Sequence, residues 1–108
     1  MRLRNAVLAA ASAVALVLAV PLSANATEGD FRYKYGFGLR SGLFNPPSGL
    51  CIDIPEATAE EPAFAPENLT GSTATVYLDF DCKGDVFYVM NPGKRLGDRL
   101  KLRSVVFS

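Results

Sequence analysis

The amino-acid sequence predicts an all-β sandwich or barrel of about five or more strands, and three observations carry that expectation. Short segments alternate apolar and polar residues with a period of two, the pattern of a half-buried strand. No segment after residue 26 makes a convincing helix. The connections are rich in Gly and Pro, as they must be where many short strands turn.

Phe31-Arg32-Tyr33-Lys34-Tyr35-Gly36-Phe37 alternates strictly, with aromatics at 31, 33, 35 and 37. It reads as a first strand whose aromatic stripe packs in the core or forms an exposed platform for sugar or protein contact. Glycines and Asn45-Pro46-Pro47-Ser48-Gly49 mark residues 36–49 as loop. Leu50-Cys51-Ile52-Asp53-Ile54 alternates again and Pro55 ends it, because Pro cannot donate to a central ladder. Residues 56–71 carry Glu56, Glu60, Glu61 and Glu67 with no basic residue, and Pro62 and Pro66 rule out a long helix, so the segment reads as a long acidic loop. Ala74-Thr75-Val76-Tyr77-Leu78-Asp79-Phe80 is a strand, and Asp81-Cys82-Lys83-Gly84 a tight connection. Residues 85–90 are apolar on both faces, which suggests a central strand. Asn91-Pro92-Gly93-Lys94 places Pro and Gly in the middle of a type II turn, and residues 99–107 close the chain as one strand.

Residues 1–26 read as a secretory signal: Arg2 and Arg4 form a basic head, residues 6–20 an uncharged middle, and Ala24-Asn25-Ala26 a small-residue end after Pro21. The apolar run of fifteen residues is short for a membrane span, which needs about 20. Its removal leaves 82 residues (108 − 26), one small β domain over 27–108, with no membrane segment. Removing Arg2 and Arg4 leaves nine Lys and Arg against eleven Asp and Glu, a net charge of −2, too near zero to draw a polyanion from a distance. So small a domain is marginally stable alone. Cys51 and Cys82 are the only cysteines and both follow the signal, so the expected compartment pairs them, two buried thiols being the alternative. A loop of about 31 residues closed this way contributes about 3.7 kcal/mol in the chain-entropy model.

Val76-Tyr77-Leu78-Asp79, Phe80-Asp81-Cys82-Lys83-Gly84, a Tyr/Phe-rich strand, a Pro-Gly turn and Ser104 before Val105-Val106-Phe107 together resemble one Greek-key unit of the βγ-crystallin fold. The likeness is to small secreted bacterial members, including proteins classed with a metallopeptidase-inhibitor family. It covers residues 74–108, and a second, divergent unit would fall on 31–54. The resemblance implies a small Greek-key sandwich and, by family membership alone, inhibition of a peptidase. It does not imply calcium binding, because Arg99, Leu100 and Arg103 stand where the calcium-binding members carry oxygen ligands.

The chain has no His, and a disulfide leaves no free thiol, which removes Ser-His and Cys-His catalysis and ordinary zinc sites. Asp79, Asp81 and Asp85 with Gly84 have the flavour of a calcium loop, but Lys83 and Met90 occupy ligand positions, and a polar hairpin tip explains the acids. Asp79 and Asp81 could face one side of a strand as a glycosidase pair, with little room for a cleft. Asn68-Leu69-Thr70 matches a glycosylation sequon but reads as loop entering the next strand. No enzyme activity, metal or cofactor is expected.

Lys94, Arg95, Arg99, Lys101 and Arg103 face only Asp98 as local counter-charge, and Arg99, Lys101 and Arg103 share a face if residues 99–107 are one strand. Such a stripe either pairs with acids on neighbouring strands or holds an anionic partner. The expectation is a secreted, monomeric, disulfide-bonded domain that acts by binding, as a proteinase inhibitor or toxin-like protein. In that case residues 36–49 and 56–71 carry the contact. The alternative is a cell-envelope protein holding anionic wall polymer through the basic C-terminal strand. Nucleic acid is not expected as a partner, given export and near-neutral charge.

Overall fold

The computed structural model describes residues 27–108, and the expected export signal, residues 1–26, lies outside the described residues. In chain order the strands are β1 (Gly29–Tyr35), β2 (Leu39–Phe44), β3 (Cys51–Asp53), β4 (Ala63–Thr70), β5 (Ala74–Tyr77), β6 (Phe87–Met90), β7 (Lys101–Leu102) and β8 (Ser104–Phe107), with a 3-10 turn at Phe80–Cys82. They form two four-stranded antiparallel sheets packed as a sandwich, ordered β2-β1-β4-β7 and β3-β8-β5-β6. Moving every strand of the first sheet four places along the chain, with β7 returning to β3, reproduces the second sheet read from its other edge. The two halves, β1 to β4 and β5 to β8, are therefore built alike, and each gives its third strand to the sheet of the other.

Alternation fills the space between the sheets. Phe31 and Tyr33 of β1, Ala63 of β4 and Leu102 of β7 meet Ala74, Val76, Met90, Val105 and Phe107 of the second sheet, with Ile54 and Ala57 closing one end. Phe31 and Phe107 touch edge to face at 5.5 Å between centroids. The expected aromatic stripe thus divides: Phe31 and Tyr33 are core, Tyr35 is half-buried, and Phe37 stands fully exposed in the turn between β1 and β2.

Four segments differ from the sequence reading, each for a definable reason. Residues 36–49 are not all loop, because β2 pairs with β1 from Tyr35↔Leu39 to Asp30↔Phe44. Only Ser41 and Leu43 of that strand are even half-buried, so its apolar pattern is too weak to announce it. Residues 56–71 contain β4, which lies inside the first sheet. Pro66 is tolerated there because the β1–β4 register shifts between Arg32 and Lys34, a bulge marked by Ala65 at φ 54, so no ladder donor is missing. The Ala65 N–H instead donates to Leu100 O at 3.2 Å.

Residues 85–90 yield β6, which is an edge strand, not a central one. Val86, Phe87, Tyr88 and Val89 are each about half exposed, and only Met90 is buried. Its second apolar face is the outer surface of the sheet, where Phe87 packs on the ring of Tyr77 at 5.7 Å. Finally, residues 99–107 are not one strand. The chain leaves the first sheet after Leu102 and enters the second at Ser104, so Arg103 is the crossing residue. The turn at 91–94 forms as expected, with Lys94 N–H donating to Asn91 O at 3.0 Å and Gly93 at φ 87.

Two fastenings hold the halves. Cys51 of β3 is bonded to Cys82 of the 3-10 turn, with Cα atoms 5.9 Å apart. Asn68, fully buried in β4, uses its whole amide: Nδ2 donates to Ser72 O and Met90 O, both at 2.8 Å, and Oδ1 accepts from Thr70 Oγ1 at 2.6 Å and Thr70 N at 3.2 Å. The amide of the sequon is thus sealed inside the sandwich.

Replacing both cysteines by Ser is expected to lower unfolding stability by about 3–4 kcal/mol, measured by urea titration of the two proteins. Asn68→Ala should cost about 2 kcal/mol, because it removes the buried side-chain donor to Met90 O, while Thr70 Oγ1, 3.1 Å from Ser72 O, still serves that carbonyl. A loss below about 1 kcal/mol by the same titration would show that water replaces the amide.

Candidate anion-binding face

The residues that alternate with the core aromatics of β1 necessarily point out of the sandwich. They are Asp30, Arg32 and Lys34. The ladder then sets their neighbours in cross-strand rows: Phe44, Asp30 and Leu69; Gly42, Arg32, Glu67 and Arg95; Arg40, Lys34, Phe64 and Lys101. The outer face of the first sheet thereby gathers Arg32, Lys34, Arg40, Arg95 and Lys101 against Asp30 and Glu67. Arg32 Nη2 lies 3.0 Å from Asp30 Oδ2, and Lys34 Nζ lies 3.4 Å from Asp98 Oδ1. Lys101 Nζ sits 4.8 Å above the Phe64 ring and donates to Asp98 O at 3.0 Å. Arg40 and Glu67 have no side-chain partner among the described residues.

A hollow of about 330 Å³ opens on this face, bounded by Arg32, Lys34, Arg40, Gly42, Phe44 and Glu67 among others. Gly42 makes its floor: a Cβ there would stand 2.9 Å from the carbonyl oxygen of Phe31. Phe44, 77% exposed, forms an apolar wall.

Of the basic residues singled out in the sequence, only Arg95 and Lys101 belong to this face. Lys94 sits in the turn, its backbone pairing with Asn68 and Asn91, and Arg99 lies in the exposed turn before β7. Arg103 serves the fold: Nε donates to Thr58 O at 2.9 Å, Nη2 to Ala59 O at 3.0 Å and Nη1 to Leu78 O at 3.1 Å. The expected stripe of Arg99, Lys101 and Arg103 therefore does not exist as one strand face, because a crossing between sheets breaks the alternation. Arg32, Lys34 and Arg40 are the residues the sequence reading left out. Arg32 and Lys34 were findable, since the period that buries Phe31 and Tyr33 exposes the residues between them. Arg40 joins them only through the hairpin register.

Most of the other acids lie elsewhere. Asp53 Oδ1 accepts the Asp81 N–H at 2.8 Å, and Ser104 Oγ bonds Asp79 O and the Cys82 N–H. These bonds hold Asp81 and Cys82 at φ 62 and 52, so Asp79 and Asp81 do not share a strand face. No group of three or more His, Cys, Asp or Glu among the described residues could hold a metal ion. On the other side of β1, Glu56 accepts from Tyr33 Oη and Ser41 Oγ, both at 2.6 Å, which anchors the 54–62 loop to the hairpin. Burial, and then the bond to Glu56, push the Tyr33 hydroxyl well above its ordinary pKa. Burial alone would raise the Glu56 carboxyl, but the donated bonds from Ser41 and Tyr33 outweigh it and hold that carboxyl below its ordinary value.

A carboxyl with a lowered folded-state pKa contributes stability that is complete above its ordinary value of 4.5 and is lost as the pH falls through the lowered value. Glu56→Gln should therefore cost about 1 kcal/mol at pH 7, and the gap to the parent should close on acidification below pH 4.5. Urea titration of both proteins at the two pH values checks this; a gap that widens in acid contradicts it.

Comparison with known proteins gave no match to a family model, to a curated sequence or to a solved structure.

Proposed function

We propose that this chain is an exported, non-enzymatic binding protein that holds an anionic polymer, such as a cell-wall polymer, on the outer face of its first sheet. One observation carries the reading: Arg32, Lys34, Arg40, Arg95 and Lys101 lie on one sheet face beside a hollow, while most acids lie on the loops and the second sheet. The near-neutral total means that attraction is local, working within about a Debye length of the face. The Cys51–Cys82 bond is consistent with an oxidising compartment. The exchange of third strands between two like halves supports a βγ-crystallin-like pair of Greek keys, the first spanning β1 to β4 and not residues 31–54 alone.

A second reading has its own observation. Phe37 projects fully exposed between Gly36 and Gly38 at the β1–β2 turn, a shape suited to a pocket on a partner protein. An inhibitor or toxin-like contact would use that ring.

Salt separates the two. Binding to isolated wall polymer should fall at least tenfold between about 0.05 and 0.3 M salt, and should be lost in the combined Arg32→Glu, Arg40→Glu, Lys101→Glu variant. Phe37→Ala should leave it unchanged. Capture of a protein partner that survives high salt and disappears in Phe37→Ala would replace the first reading with the second.

A further inference from the structure

We propose that the hollow over Gly42 is a subsite for one carboxylated sugar unit, a pyranose bearing a uronate-type carboxylate. The proposal rests on the reading of the first-sheet face as a ligand surface and assigns the ligand's chemistry. Size sets the first limit. About 330 Å³ lies at the small end of ligand sites, which run from about 300 to 1,000 Å³, so one or two sugar units fit and a long segment does not.

Charge sets the second limit. Arg32, Lys34 and Arg40 against Asp30 and Glu67 give the lining of the hollow a net charge of +1, and beside it Asp98, which pairs with Lys34, is offset by the adjoining Lys101. Polyphosphate carries a charge at every phosphorus, so a stretch that fills the hollow brings more than this excess balances and meets two carboxylates at the wall. A sugar with a single carboxylate balances it, and its hydroxyls need acceptors as well as donors, which Asp30 and Glu67 supply. In the ladder Arg40 on β2 and Glu67 on β4 are two strands apart and two residues out of row, about 12 Å between backbone positions at about 4.8 Å per strand and about 3.4 Å per residue, and both side chains reach inward from there. A pyranose with its substituents spans that gap.

Each wall then has one task. The Arg40 guanidinium takes the carboxylate, because Arg32 already holds Asp30 and Lys34 already holds Asp98. Glu67 accepts from hydroxyls on the opposite side. The Phe44 ring covers the apolar C–H face of the sugar. Gly42 keeps the floor open at the level of the backbone.

Calorimetric titration of the disulfide-intact protein with trigalacturonate, maltotriose and inorganic polyphosphate tests the assignment. Trigalacturonate should bind saturably and at least tenfold more tightly than the neutral maltotriose. Arg40→Ala and Phe44→Ala should each weaken it at least tenfold with an unchanged thermal midpoint. Glu67→Gln should weaken trigalacturonate and strengthen polyphosphate. Equal affinity for the neutral and charged trisaccharides, or unchanged trigalacturonate affinity in Arg40→Ala, overturns the subsite. Polyphosphate binding without trigalacturonate binding overturns it too, while leaving the anion-binding face standing. Failure of wall polymer, polyphosphate and trigalacturonate alike removes both.

Discussion

Phe31 and Phe107 meet edge to face in the middle of the sandwich, one from each half of the chain, and the exchange of third strands keeps them together. The first half supplies β3 to the second sheet and the second half supplies β7 to the first. Neither half can therefore complete its own sheet, and the two must fold as one unit around a single core. A chain this short has little apolar area to bury, so this mutual dependence is also what makes the core continuous.

Exchange requires the backbone to cross between sheets repeatedly, and each crossing strips backbone groups of their ladder partners. The polar side chains of this protein are spent largely on those places. Asn68 satisfies the carbonyls of Ser72 and Met90 where β4 leaves for β5 and β6 passes beneath it. Arg103 stands at the crossing from β7 to β8 and takes the carbonyls of Thr58, Ala59 and Leu78. Ser104 bonds both Asp79 and Cys82. With the crossings closed in this way, the outer face of the first sheet is left with little structural duty apart from pairs such as Arg32 with Asp30 and Lys34 with Asp98. Its spare cations, above all Arg40, are what the proposed binding surface rests on.

The same division explains how much of the protein was legible in its sequence. The strands that bury one face announced themselves: Phe31 and Tyr33, Ile52 and Ile54, Ala74 and Val76, Val105 and Phe107 all follow the period of two. Strand β2 was silent because an edge strand over a thin rim needs few apolar residues. Strand β4 was masked by Pro66, whose place in a sheet depends on a bulge that only the partner strand reveals. Strand β6 looked central because sequence records that two faces are apolar and not whether a neighbour covers each one.

By itself, then, the sequence determined the all-β class, the pairing of Cys51 with Cys82, the absence of imidazole chemistry, and the alternation that sends Arg32 and Lys34 outward. Those properties are local or compositional, so residue identity and spacing are enough. Tertiary structure alone decided which strands are neighbours, and with that the candidate site. Arg40 reached it through a hairpin register, Glu67 through a bulged strand read as loop, and Arg95 through one backbone bridge. Arg103 was withdrawn from it because the chain changes sheets at that residue. Cross-strand position is a property of pairing over long sequence distance, which a period of two cannot encode.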